Sequence, residues 1–168
     1  MGELVGGSGF EAGAGFVCKW SVDYGEAWEH LAGPELGQTH VDSPASTFSR
    51  DVIWSHPIDV QFTTYAMQVT AMPASWLHPV GWPRLLLQVW AIDEHENANI
   101  CGYGFTHVPS TPGPHQLSVH LWRPKGSEHE ELAALFLGQT TQLVSDDVIF
   151  GTAWADRCRL RTVPSGQV

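Results

Sequence analysis

The chain is poor in charge, and poorest in positive charge. Only 15% of its 168 residues are Asp, Glu, Lys or Arg, and eight basic residues face eighteen acidic ones, for a formal net charge of -10. Such a surface repels phosphate backbones and anionic headgroups unless a local patch overrides it, so nucleic acid is excluded as an expected partner. Cysteine is scarce as well. Cys18, Cys101 and Cys158 are odd in number, far apart and without a CxxC pair, which speaks against a disulfide framework and a zinc site and makes reducing cytosol the expected compartment. No apolar run reaches transmembrane length, no signal-peptide core is present, and Gly6 stands where N-myristoylation prefers Ser or Thr. Any membrane association is therefore expected to be peripheral.

Aromatic and turn-forming residues are plentiful. Eight Trp and seven Phe supply a packed core, while eleven Pro and seventeen Gly supply many turns, a combination that suits a sandwich better than a helix bundle. The length suits one domain over 1–168, burying about 68–70% of its unfolded surface. The expected class is all-β.

The most informative stretch runs from Gly81 to Pro114. Leu85 to Ala91 is a bounded apolar run, read as a strand buried on both faces, and Tyr103 to Val108 alternates, with Tyr103, Phe105 and His107 on one face. The loop Asp93 to Asn99 is too short for a crossover helix, so the two strands should pair antiparallel. Further strands are expected at Phe16–Val22, Gln38–Val41, Trp54–Phe62, Leu117–Leu121 and Asp156–Thr162. Gly25 to Gly33 fits one helical turn or a loop equally well. One helix is marked by the Ser127/Glu130 capping box, by Leu132, Leu135 and Phe136 at helical spacing, and by Gly138 at its end; it should lie across one edge of the sandwich.

The wording GWPRLLLQVW (81–90), CGYGFTHVPSTPGPHQL (101–117) and LWRPKGS (121–127), with GSGF (7–10), FVCKW (16–20), GQTHVDSP (37–44) and WSHPIDV (54–60), resembles the B9 branch of the C2 superfamily in fixed order. The resemblance spans about Gly6 to Thr162. It implies a C2-like antiparallel β-sandwich of about eight strands with one short helix, the first strand shortened and the last missing, and an insertion at about 63–80. Met67, Val69, Met72, Trp76 and Leu77 are the insertion's apolar content, read as a surface loop, with an exposed Trp and Leu as a possible docking patch. The resemblance further implies a non-enzymatic subunit of the Meckel-syndrome complex at the ciliary transition zone near the basal body, assembled with the two other B9 proteins. Transition-zone membrane proteins, tubulin and phosphoinositides are its further candidate partners, and cytoplasm and cytoskeleton its setting. The alternative is a calcium-independent peripheral lipid-binding C2 domain.

An acidic hairpin loop at the end of a sandwich invites calcium, a hard cation that takes several carboxylate oxygens. The resemblance places the third-loop ligand positions on Ala91, Asp93 and Asn99, so one carboxylate of three survives; Glu94 and Glu96 are the substitutes, and only Glu11 serves the first loop. A solvated loop is the simpler reading, and no cofactor is expected. Nucleophilic catalysis finds no constellation either: Ser8 in GGSGF lacks a strand-to-helix elbow and Cys18 falls on a core face. What remains is surface chemistry. The GWP turn (Gly81, Trp82, Pro83), Tyr103 and the WRP segment (Trp122, Arg123, Pro124) present large amphipathic side chains that suit interface hot spots, each Trp having sandwich core as its plainer reading. Arg157, Arg159 and Arg161 alternate onto one strand face, either solvated or a patch for an acidic partner or phosphoinositide.

Overall fold

A computed structural model describes residues 1–10, 13–44, 51–64, 81–137, 140–150 and 160–168. Its spine is the hairpin read from Gly81 to Pro114: β7 (Arg84–Ile92) pairs antiparallel with β8 (Ala98–His107) and, on its other side, with all nine residues of β2 (Gly15–Asp23). With β4 (Leu36–Gln38), β9 (His120–Pro124) and β10 (Thr162–Gln167) these form a six-stranded sheet in the order β10-β9-β8-β7-β2-β4. Two smaller pairs complete the all-β sandwich, β1 (Gly2–Gly7) with β5 (Val52–Ile58) and β3 (Trp28–Ala32) with β6 (Gln61–Thr64).

The core lies between the large sheet and the β1–β5 pair. Alternation carries Phe16, Cys18 and Trp20 of β2 and Leu87, Val89 and Ala91 of β7 inward, where they meet Leu4, Phe10, Val52 and Trp54. Trp54 is 1% exposed, and its indole N–H donates to the Phe16 carbonyl at 3.2 Å, joining the two layers. Burial pushes the Cys18 thiol up to about 12, against a lesser lowering by a hydrogen bond involving the Gln88 backbone, so this cysteine is a small hydrophobe, as the pattern implied.

One bulge decides the second core. Between Val89 and Trp90 the β7–β8 register slips, so that Gly102 faces Val89 while Ile100 faces Trp90, leaving Cys101 as the extra residue. Ile100 and Tyr103, which strict alternation would put on opposite faces, therefore both point outward. There they bury Ile149 of the short helix α2 (Asp147–Phe150), with Trp90, Phe105, Trp122 and Leu143 around them. The glycines flanking Tyr103 serve the inner face. A Cβ on Gly104 would stand 2.7 Å from Leu121 Cδ2 and 2.9 Å from Val119 Cγ1, so β8 stays bare where β9 packs close.

Several expectations are corrected. Two strands have bounds that the sequence reading did not give: β1 pairs with β5, and β10 pairs with β9. Of the strand expected over Asp156–Thr162, residues 156–159 lie outside the described residues; β10 begins at Thr162, with Thr162, Val163 and Pro164 as register partners of Pro124, Arg123 and Trp122. Within 25–33 the chain forms strand β3, since Trp28, Glu29 and His30 find partners in β6. The single strand expected over Trp54–Phe62 is two, separated at Asp59 and Val60, with Ser55 at φ 43 absorbing a further slip between β1 and β5. The short strand at 38–41 lies earlier, as β4, and the one at 117–121 starts only at His120. Helix α1 (Glu128–Leu137) forms as read, and Thr63 and Thr64 belong to β6. The rest of the insertion, with Trp76 and Leu77, lies outside the described residues.

Candidate functional site

Tyr103 sits on the outward face of β8, yet it is only 3% exposed, because the segment 140–150 crosses over it. Its hydroxyl accepts the Leu143 N–H at 3.1 Å, its ring stands 5.9 Å from Trp122, and burial holds its phenol above the usual tyrosine range. Gln88 reinforces the same crossing by donating to Asp146 at 2.9 Å, and Thr140 donates to the Ile100 carbonyl at 3.3 Å. Tyr103 is therefore the fastener of a strap across the sheet. Sequence reading missed the strap; its signal is the apolar VIF run behind the acidic pair Asp146 and Asp147.

Trp122 is partly buried beside Tyr103, and Arg123 leans toward α1, 3.6 Å from Glu131, which also accepts the Gly126 N–H at 3.1 Å. The helix start is a reciprocal capping box. Glu130 accepts from the Ser127 N–H at 2.7 Å and from its hydroxyl at 2.9 Å, while the Ser127 oxygen faces the Glu130 N–H at 3.4 Å. Those bonds hold the Glu130 carboxyl below the usual glutamate range. A lowered folded pKa means stability that is present above the ordinary carboxylate value and lost as pH falls through the folded one. Glu130→Gln is accordingly expected to flatten the acid limb of stability against pH, measured by denaturant unfolding across that limb. An unchanged slope would remove the cap from the account. Leu132 and Phe136 point away, 55% and 85% exposed.

The GWP turn is a corner between three elements. Gly81, at φ 82, accepts from the Gly25 N–H at 2.8 Å; Pro83 is buried and its carbonyl accepts the Val108 N–H at 3.1 Å. Trp82 donates to the Val108 carbonyl at 2.6 Å and meets Trp28 edge-on, ring centres 5.0 Å apart. Beside it opens a groove of about 750 Å³, walled by the start of β7, the end of β8 and the proline-rich loop that follows. Val108 and Leu117 in that wall were not singled out from sequence, and His107 reads there as a structural histidine beside a strand-end proline, although the prolines and glycine at 109–114 mark a loop stiff enough to hold a cleft open.

The calcium candidates do not converge. Asp93 accepts from the Glu94 N–H at 2.8 Å and lies 3.5 Å from His95, Glu96 closes the turn through its N–H on the Asp93 carbonyl at 3.0 Å, and Glu94 and Glu96 are exposed. Among the described residues no three His, Cys, Asp or Glu side chains gather as metal ligands. A smaller cleft of about 160 Å³ beside Asp93 reaches Asn99, Cys101, Arg123 and Ser165. Of the arginine row, Arg157 and Arg159 lie outside the described residues. Arg161 is exposed just before β10, its carbonyl accepting the Lys125 N–H at 2.8 Å.

Over residues 1–168 the chain matches the sequence model of a family described as "Ciliary basal body-associated, B9 protein". It is 44% identical to B9 domain-containing protein 2 of Rattus norvegicus and of Homo sapiens over 168 residues, all of this chain and 86% of each relative. To B9 domain-containing protein 1 of Homo sapiens it is 29% identical over 133 residues, 79% of this chain and 59% of the relative. No solved structure matches.

Proposed function

Because the chain belongs to the B9 family of ciliary basal body-associated proteins, we propose that it is a non-enzymatic scaffold subunit, assembling with the two other B9-domain proteins in the Meckel-syndrome complex at the transition zone. There it would serve cilium assembly and gating of the ciliary membrane. The observation that carries this reading is the match to the family along the whole chain, loops as well as core. The surface is consistent with it: Val5, Leu31, Leu36 and Ile53 project from the sheets at 61–71% exposure, which is apolar area available to neighbours.

Of the proposed contact residues, Trp82, Trp122 and Arg123 keep part of their surface accessible. Tyr103 would act through the strap it fastens. Arg157, Arg159 and Arg161 remain the proposed patch for an acidic partner, tubulin or a phosphoinositide among them. Co-expression with the two other B9 proteins, followed by size-exclusion chromatography with mass determination, is expected to give one complex of defined mass. A chain that elutes as a monomer beside both partners, and that instead co-sediments with phosphoinositide vesicles in a salt-sensitive way, would replace assembly by peripheral lipid binding.

A further inference from the structure

The groove beside Trp82 is lined by nitrogen-bearing and apolar side chains. The chain carries eighteen acidic residues against eight basic. Among the described residues none that lines the groove is Asp or Glu, whereas Arg84, His107 and His115 all line it. Arg84 is held by Asp23 at 2.9 Å, and that aspartate is not part of the lining. Between these polar groups lie Val108 and Leu117, 42% and 48% exposed, and the ring of Trp82.

The walls are firm. Trp82 is fixed by its bond to the Val108 carbonyl and by the edge of Trp28, and His115 is tied to the Thr111 carbonyl at 2.8 Å. Little ordering is left to be done on binding, which favours affinity. The volume falls in the range of sites that hold a small ligand or a short peptide segment. The His115 Nε2 is engaged by Thr111, so the imidazole N–H offered to a carboxylate is that of His107, while Val108, Leu117 and Trp82 offer seats for apolar side chains.

We propose that this groove docks an extended acidic segment of a partner protein, in which carboxylates alternate with large apolar side chains. Charge complementarity selects that partner: on so acidic a molecule, a cleft whose described lining holds Arg84 and two imidazoles but no carboxylate is where a negatively charged chain meets least repulsion. The inference is independent of the assembly proposed above, since the chain can fail to join the other B9 proteins and still hold such a peptide.

The test uses the full chain and a fluorescein-labelled peptide of alternating Glu and Leu, with its Gln/Leu and Lys/Leu counterparts, read by fluorescence polarisation. The Glu/Leu peptide is expected to bind about tenfold more tightly than either counterpart and to weaken with salt. His107→Glu and Leu117→Glu, both at exposed positions, are expected to weaken it about fivefold or more with the unfolding midpoint unchanged. Should either variant lose stability, His107→Gln gives the same reading without adding charge. Equal binding of the three peptides, or Glu/Leu binding indifferent to the groove variants, overturns the proposal. So does a dimer that Leu117→Glu abolishes, which assigns the groove to a second copy, or phosphatidylserine vesicles competing away the peptide, which assigns it to a membrane.

Discussion

Trp54→Ala is expected to lower stability by about 3–5 kcal/mol, a large part of what a domain of this kind possesses. The indole is 1% exposed, lies 6.2 Å from Phe10 and donates to the Phe16 carbonyl at 3.2 Å. Most of the loss comes from the cavity rather than the hydrogen bond, because the Phe16 carbonyl keeps a second donor, the Asp42 N–H, at 3.0 Å. Trp54→Phe should therefore cost only about 1–2 kcal/mol, keeping most of the ring volume and losing the bond. Urea unfolding followed by circular dichroism distinguishes the two. Equal midpoints for Trp54→Ala and the parent chain would mean that the β1–β5 pair and the large sheet share no core.

Gly81→Ala is expected to cost roughly 2–4 kcal/mol, through backbone rather than side-chain interference. Gly81 holds φ 82, and a Cβ there would stand 2.3 Å from the Gly25 Cα and 2.7 Å from its nitrogen, neither of which can rotate away. The shift would also disturb Trp28, whose N–H donates to the Gly25 carbonyl at 3.0 Å, and with it the Trp28–Trp82 contact. Gly113→Ala is the control: its φ is 135, but nothing lies within 4 Å of the added methyl, so the cost is conformational alone, about 1 kcal/mol. Thermal unfolding should separate the pair by several degrees. If the two variants melt together, the GWP corner is softer than its close approach implies.

Elements whose partners are close in sequence were legible. The β7–β8 hairpin, the inward face of β2 and the capped α1 all follow from periodicity and turn chemistry within a few residues. What escaped was set by partners far away. Nothing local in GELVGG announces β1; it is a strand because Val52 to Ile58 lies alongside it. Nothing local in TVPSGQ, with its proline and glycine, announces β10 either. The bulge at Cys101 was equally invisible, and it moves Ile100 onto the face of Tyr103, converting an expected contact residue into a buried fastener. The candidate surface was legible only where its residues also make a turn: Trp82 stood out in GWP, while His107, Val108 and Leu117 became part of the same groove only once the loop after β8 folded back over the start of β7.

The seam between the ends of the chain bears on how the protein is made. Ser8 and Gln167 exchange both backbone hydrogen bonds at 2.9 Å, and their side chains meet across a separation of 159 residues. Closing so long a loop is entropically unfavourable and comes late in folding. On a ribosome the edge of the sandwich stays open for as long as Gln167 remains in the exit tunnel, with Leu4 and Phe10 short of their final burial. The first strand can pair with β5 once Ile58 has emerged, but the bridge from Ser8 waits for Gln167, an interval in which a chaperone or a co-translationally docking partner has its best access to that edge.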